Sequence, residues 1–121
     1  MFEVRIDKPK NLVTFFFSGR VTPDETSRMR TSLKAQLAQL KRGFSVLSDF
    51  SQLDFMDLAC APDVEFAMDA CDKAGTSKVV RLIPDARKDI GFSIMSLFHY
   101  HRRIPIVTCE TLAEAVRALE E

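Results

Sequence analysis

Four carboxylates fall close together in the middle of the chain: Asp49, Asp54, Asp57 and Asp63. Carboxylates gathered where a strand ends can hold a cation or move protons as a general acid and base. Aspartate is also a preferred turn and cap residue, because its short side chain accepts hydrogen bonds from nearby backbone amides. The spacing favours this second role, with Asp49 and Asp54 bonding turn amides and Asp57 or Asp63 capping the helix that follows. Leu58, Ala59 and Cys60, in the centre of the group, supply no hydroxyl and no nucleophile–base pair.

The thiols and imidazoles say little more for chemistry. Cys60 and Cys71 are eleven residues apart, which on one helix puts them on one face but roughly 16 Å apart, beyond a disulfide or a shared metal. Cys71 reads as core. Cys60 stands beside a helix N-terminus, a setting that lowers a thiol's pKa. Cys109 is isolated. His99 and His101 are two residues apart, so on a helix they point to nearly opposite sides. No C-x-x-C, H-E-x-x-H, G-x-S-x-G or phosphate-binding glycine loop occurs. The expectation is a protein with no catalytic residues, no metal and no cofactor.

The elements that must position these residues are well signalled. Val4 and Ile6 alternate with Arg5 and Asp7 in a first strand, a turn at Pro9–Lys10–Asn11 follows, and Leu12 to Ser18 is a second strand. So short a link implies an antiparallel hairpin. Thr22, Pro23 and Glu25 mark a helix start with a capping box. Met29, Leu33, Leu37 and Leu40 give that helix its core stripe, with Gly43 as its expected stop. A third strand is expected over Phe44–Phe50, a helix over Pro62–Ala74 ended by Gly75, and a fourth strand over Val79–Ile83 halted by Pro84. A further helix is expected over 88–101. Ile104–Val107 is a fifth strand, which its proline assigns to a sheet edge. Thr111 and Glu114 cap a last helix carrying Leu112, Ala115, Val116 and Leu119.

This order, ββαβαβαβα, predicts an α/β fold: one domain with a mixed, mostly parallel five-stranded sheet covered by about four helices. Its 121 residues suffice for a single core. Seventeen basic and 17 acidic side chains cancel, which removes the bulk attraction a general nucleic-acid binder needs. No apolar run is long enough to span a bilayer, and the strand-like start lacks the pattern of a secretion signal. Three scattered cysteines fit reduced thiols and a cytoplasmic location.

Phe17-Ser-Gly19 closing the second strand, Val46-Leu-Ser-Asp49 with Phe50-Ser51, and Phe55-Met56-Asp57 together resemble the STAS domain of bacterial anti-anti-sigma factors. The resemblance implies a STAS-like fold and a protein-binding, regulatory role. In the signalling members, the aspartate matching Asp57 is followed by two serines and a glycine, and a partner kinase phosphorylates the second serine. Leu58, Ala59 and Cys60 stand at those positions here, and Thr22 replaces the family's usual aspartate at the start of the first helix. The resemblance therefore implies an interaction module that is not switched by phosphorylation at those positions. Its expected partner-binding residues are Thr22, Asp54, Asp57, Leu58, Ala59, Cys60 and Asp63, with the segment from Asp54 to Asp63 read as a loop.

Two further surfaces stand out. On a helix over 88–101, Ile90, Ile94, Leu97, Phe98 and His101 form one stripe, while Phe92, Met95 and His99 form a second on the opposite side. One stripe is enough to cover a sheet. The second suggests a homodimer contact or, since related folds carry lipids, a site for a small apolar ligand. The basic group Arg81, Arg87, Lys88, Arg102 and Arg103 reads as a solvated face.

Overall fold

The structure is a computed structural model that describes residues 1–83 and 104–121. Five strands form one sheet in chain order: β1 (Phe2–Asp7), β2 (Leu12–Val21), β3 (Ser45–Met56), β4 (Lys78–Leu82) and β5 (Ile106–Cys109). β1 and β2 form the expected antiparallel hairpin, and every other neighbouring pair is parallel. Among the described residues three α-helices accompany them: α1 (Pro23–Leu37), α2 (Ala61–Ala74) and α3 (Leu112–Glu120). The helix expected over 88–101 lies outside the described residues, as do Phe92, Met95 and His99 and the ligand or dimer surface expected there.

The sheet divides two cores. α1 and α2 cover one face, where Val13, Phe17, Val46, Phe50, Leu33 and Met68 belong to the larger apolar cluster. α3 covers part of the other face, packing Ala115 and Ala118 against Leu47, Val80 and Leu82. Of the four apolar residues expected on this helix, Ala115 and Leu119 pack on that core, whereas Leu112 and Val116 are exposed.

Several boundaries differ from the sequence expectation for local reasons. α1 stops at Leu37 with Ala38 as its cap, not at Gly43. Leu40 still packs against the main core, but from the turn that follows. Gly43 has a φ of +94° and its N–H donates to the Gly75 carbonyl at 2.8 Å, so its conformational freedom serves the entry to β3. Gly75 caps α2 in the left-handed region, as expected. β5 begins two residues later than anticipated and is the last strand in the sheet order, which agrees with the proline just before it.

The largest difference is β3. It does not end near Asp49 but runs on to Met56, and β2 likewise continues past Ser18 to Val21. β3 carries one more residue than β2 at each of two register shifts, opposite Phe16–Ser18 and Gly19–Arg20. Such bulges bend and twist a strand without ending it. Gly19, at φ +58°, takes the strain on the β2 side. Asp54 consequently lies on an exposed stretch of strand, not in a loop.

Candidate functional site

β2, β3, the start of α1 and the start of α2 converge at the C-terminal end of the parallel strands, the usual working end of an open α/β sheet. Asp57 sits at the junction. Its backbone N–H donates to the Val21 carbonyl at 3.1 Å, tying the end of β3 to the end of β2. Its carboxylate accepts a hydrogen bond from the Ala59 N–H at 2.9 Å and so caps a single 3-10 turn over Leu58–Cys60. α2 starts immediately afterwards, with Pro62 in its first turn.

The 3-10 turn separates its three side chains sharply, because three residues complete one turn. Leu58 is 57% exposed and Ala59 is also in solvent, whereas Cys60 has no accessible surface. Phe55, 44% exposed on the last stretch of β3, presents a ring to solvent at the same end of the sheet. The Arg20 guanidinium from β2 lies 5.1 Å from the centre of that ring, a cation–aromatic contact. Thr22 is half-buried as the α1 N-cap, and its N–H donates to the Glu25 carboxylate at 3.4 Å.

A buried polar cluster supports this surface from below. Asp63 in the first turn of α2 accepts hydrogen bonds from Thr26 Oγ1 at 2.7 Å and from Arg30 Nε, both on α1. Arg30 also lies 4.9 Å from the centre of the Phe66 ring. Cys60 approaches the Val21 carbonyl at 3.9 Å. Burial pushes its pKa above the ordinary thiol value. A hydrogen bond with Thr26 works the other way, and the charges of Asp57, Asp63 and Glu25 raise it further. The helix-start position therefore does not activate this thiol, because desolvation of the thiolate outweighs the favourable contact. Cys71 is raised to about 12 by burial and then by Asp72, and Cys109 is raised by burial and then by Glu114.

The four aspartates thus have separate tasks. Asp49 accepts from the Ser51 N–H at 2.9 Å and Asp57 caps the 3-10 turn. Asp54 is exposed and Asp63 bonds across to α1. Among the described residues they do not assemble into a cation site. Between α1, α2 and the sheet lies an apolar cavity of about 20 Å³, lined in part by Phe2, Phe15, Phe17, Met29 and Met68. That is room for about one water and no lipid chain. No described helix is long and apolar enough to cross a membrane.

No family model and no curated protein matches this sequence. Solved structures do. The anti-sigma factor antagonist SpoIIAA in its unphosphorylated form superposes with a TM-score of 0.67 at 16% identity, over 99% of this chain and 98% of that one. The phosphorylated form of SpoIIAA, a Bacillus cell fate determinant, gives 0.63 at 17% identity, over 98% and 99%. This chain has the SpoIIAA-like fold. An uncharacterised protein from Shewanella loihica described as having a SpoIIAA-like fold gives 0.66 at 16% identity, over 98% and 92%.

The SpoIIAA-like fold bears out the resemblance drawn from the sequence motifs. Of the residues expected to meet a partner, Asp54, Leu58 and Ala59 are exposed, and Thr22 and Asp57 are partly so. Cys60 and Asp63, expected on the same surface, are buried instead, because the inward sides of the 3-10 turn and of α2 both pack on α1. Phe55 and Arg20 belong to the surface and were not among the expected residues. Their meeting depends on the second bulge, which sets Arg20 opposite Phe55. Nothing in the local sequence signals that register.

Proposed function

We propose that this chain is a non-enzymatic regulatory module of the anti-sigma factor antagonist type, which binds a partner protein in the cytoplasm. Its docking surface consists of Thr22, Asp54, Phe55, Asp57, Leu58 and Ala59. The observation that carries the reading is the pair of large apolar side chains, Phe55 and Leu58, held in solvent at the strand ends of a SpoIIAA-like fold. Apolar groups near the centre of a patch are the ones that dominate binding energy once a partner desolvates them.

Regulation in this chain does not pass through phosphate at positions 58 and 59. A phosphate there would add about −1.5 to −2 charge near a helix start, but leucine and alanine have no oxygen to accept it. Positions 58 and 59 are thus permanently in one chemical state, and control does not act through them. Free, reduced cysteines are in keeping with this setting.

Titration calorimetry of the purified chain against each anti-sigma factor of its host tests the proposal. The expected result is one saturable complex that Leu58→Glu weakens by about tenfold or more, while Lys10→Glu in the distant β1–β2 turn has no effect. Complexes that Leu58→Glu and Phe55→Glu leave unchanged, or no complex with any of them, would refute it.

A further inference from the structure

The charges around Phe55 and Leu58 specify what kind of surface can cover them. Asp54 precedes Phe55 on the exposed end of β3, Asp57 precedes Leu58, and Asp24 is the second residue of α1, after the half-buried Thr22 and Pro23. The 3-10 turn packs against α1, which brings these three carboxylates to one end of the molecule. None of the described ion pairs involves Asp24, Asp54 or Asp57. Among the described residues the cations at this end are Arg20, whose guanidinium rests on the Phe55 ring, the N-terminal ammonium, which pairs with Glu25 at 3.6 Å, and the exposed Arg28 one turn after Asp24. The chain as a whole is neutral, so the acidic rim is a local feature and not a reflection of overall composition.

A second copy of this chain is a poor occupant. Two such patches placed face to face would bring like-charged rims together, and juxtaposed like charges at an interface cost several kcal/mol. Complementarity asks for the opposite sign around an apolar centre. We propose that the Phe55–Leu58–Ala59 patch docks a basic segment of a partner protein, in which an apolar side chain covers Leu58 and flanking lysines or arginines meet Asp24, Asp54 and Asp57. This rests on the docking role proposed above and adds the chemistry of the partner. Desolvation of Phe55 and Leu58 provides affinity, while the carboxylates set orientation and speed of encounter.

The test uses the full chain, labelled with nitrogen-15, and two synthetic heptapeptides that alternate leucine with lysine or leucine with glutamate. The lysine peptide is expected to shift the amide signals of Phe55, Leu58 and Ala59 saturably, and the glutamate peptide to leave them in place. Raising salt from 50 to 300 mM should weaken the lysine peptide. Asp54→Lys and Asp24→Lys should each weaken it by up to about fivefold, the range of a solvent-exposed ion pair. Both positions are exposed, and an unchanged amide dispersion would verify that the variants fold. Equal shifts with both peptides, shifts centred elsewhere, or affinity unmoved by both substitutions would overturn the basic-partner proposal while leaving a docking role intact. No shift at these amides with either peptide would overturn both.

Discussion

Leu58 and Ala59 stand in solvent, whereas Cys60, the next residue, is fully enclosed and Asp63 is buried against Thr26 and Arg30. Six residues of sequence therefore hold an outward surface and the structure that supports it. The outer pair does little to hold the fold, since exposed side chains gain little from folding. The inner pair joins α2 to α1 and to the end of β2 through contacts 33 to 39 residues apart in sequence. The contrast shows how such a surface can change its chemistry freely: residues at 58 and 59 are replaceable because 60 and 63 keep the turn in place.

If the contrast is real, substitutions on the inner side should cost stability and those on the outer side should cost binding. The largest loss is expected for Phe50→Ala. Its ring has no accessible surface and stacks on Phe17 at 4.8 Å, and emptying such a site costs about 3–5 kcal/mol. Urea denaturation would show it, and a loss as small as that for Phe55→Ala would break the comparison.

Asp63→Ala should follow at about 2–3 kcal/mol, because Thr26 loses its buried acceptor and the partly exposed Arg30 loses its anion. Asp63→Asn, which keeps an acceptor for Thr26, should recover part of this. A third test uses pH. Cys71 is raised to about 12 in the folded chain from an ordinary 9, so its contribution is complete below pH 9. The contribution is lost as pH rises from 9 towards 12, because only the unfolded chain releases the proton there. The slope should be about 1.4 kcal/mol per pH unit. Stability measured at pH 7 and 10 should fall less steeply in Cys71→Ala than in the parent. Smallest of all, Leu58→Glu should move stability by no more than about 0.5 kcal/mol, although it is expected to weaken partner binding about tenfold. A clear drop in its melting temperature would place Leu58 with the supporting residues instead.

These regions also differed in how much the sequence disclosed. The hairpin at Pro9–Asn11, the Thr22 and Thr111 helix starts and the Gly75 stop were legible, because each depends on one or two residues with strong local preferences. Asp57 was readable as a cap, but it caps the 3-10 turn before α2 and not α2 itself, and Asp63 bonds to α1 instead of capping. β3 was misread because Ser51, Gln52 and Asp54 look like a turn, and pairing with a distant strand keeps them extended. The Thr26–Asp63 bond was beyond reach, since no local pattern joins residues 37 apart. In α3, Leu112, Ala115, Val116 and Leu119 were all legible as apolar, but only Ala115 and Leu119 pack on the core, with Ala118 beside them. Periodicity marks a helix's apolar residues and is silent on which of two neighbouring stripes meets the sheet.

The two bulges of β3 have a consequence for how this chain can change length. On the α1–α2 side, β2 contributes Val13, Phe15, Phe17 and Val21, while β3 contributes Val46, Ser48, Phe50, Leu53 and Met56. The first half of β3 steps by two and the second half by three, because each bulge inserts one residue between inward positions. A strand that slips by one residue turns its buried side outwards. Removing the extra residue of either bulge, by contrast, would leave a step of two, so that Leu53 and Met56 would still face inwards while the strand lost a bend. This stretch can therefore shorten by one residue at a bulge without turning its buried side outwards, and what the extra residues set is the bend of the strand.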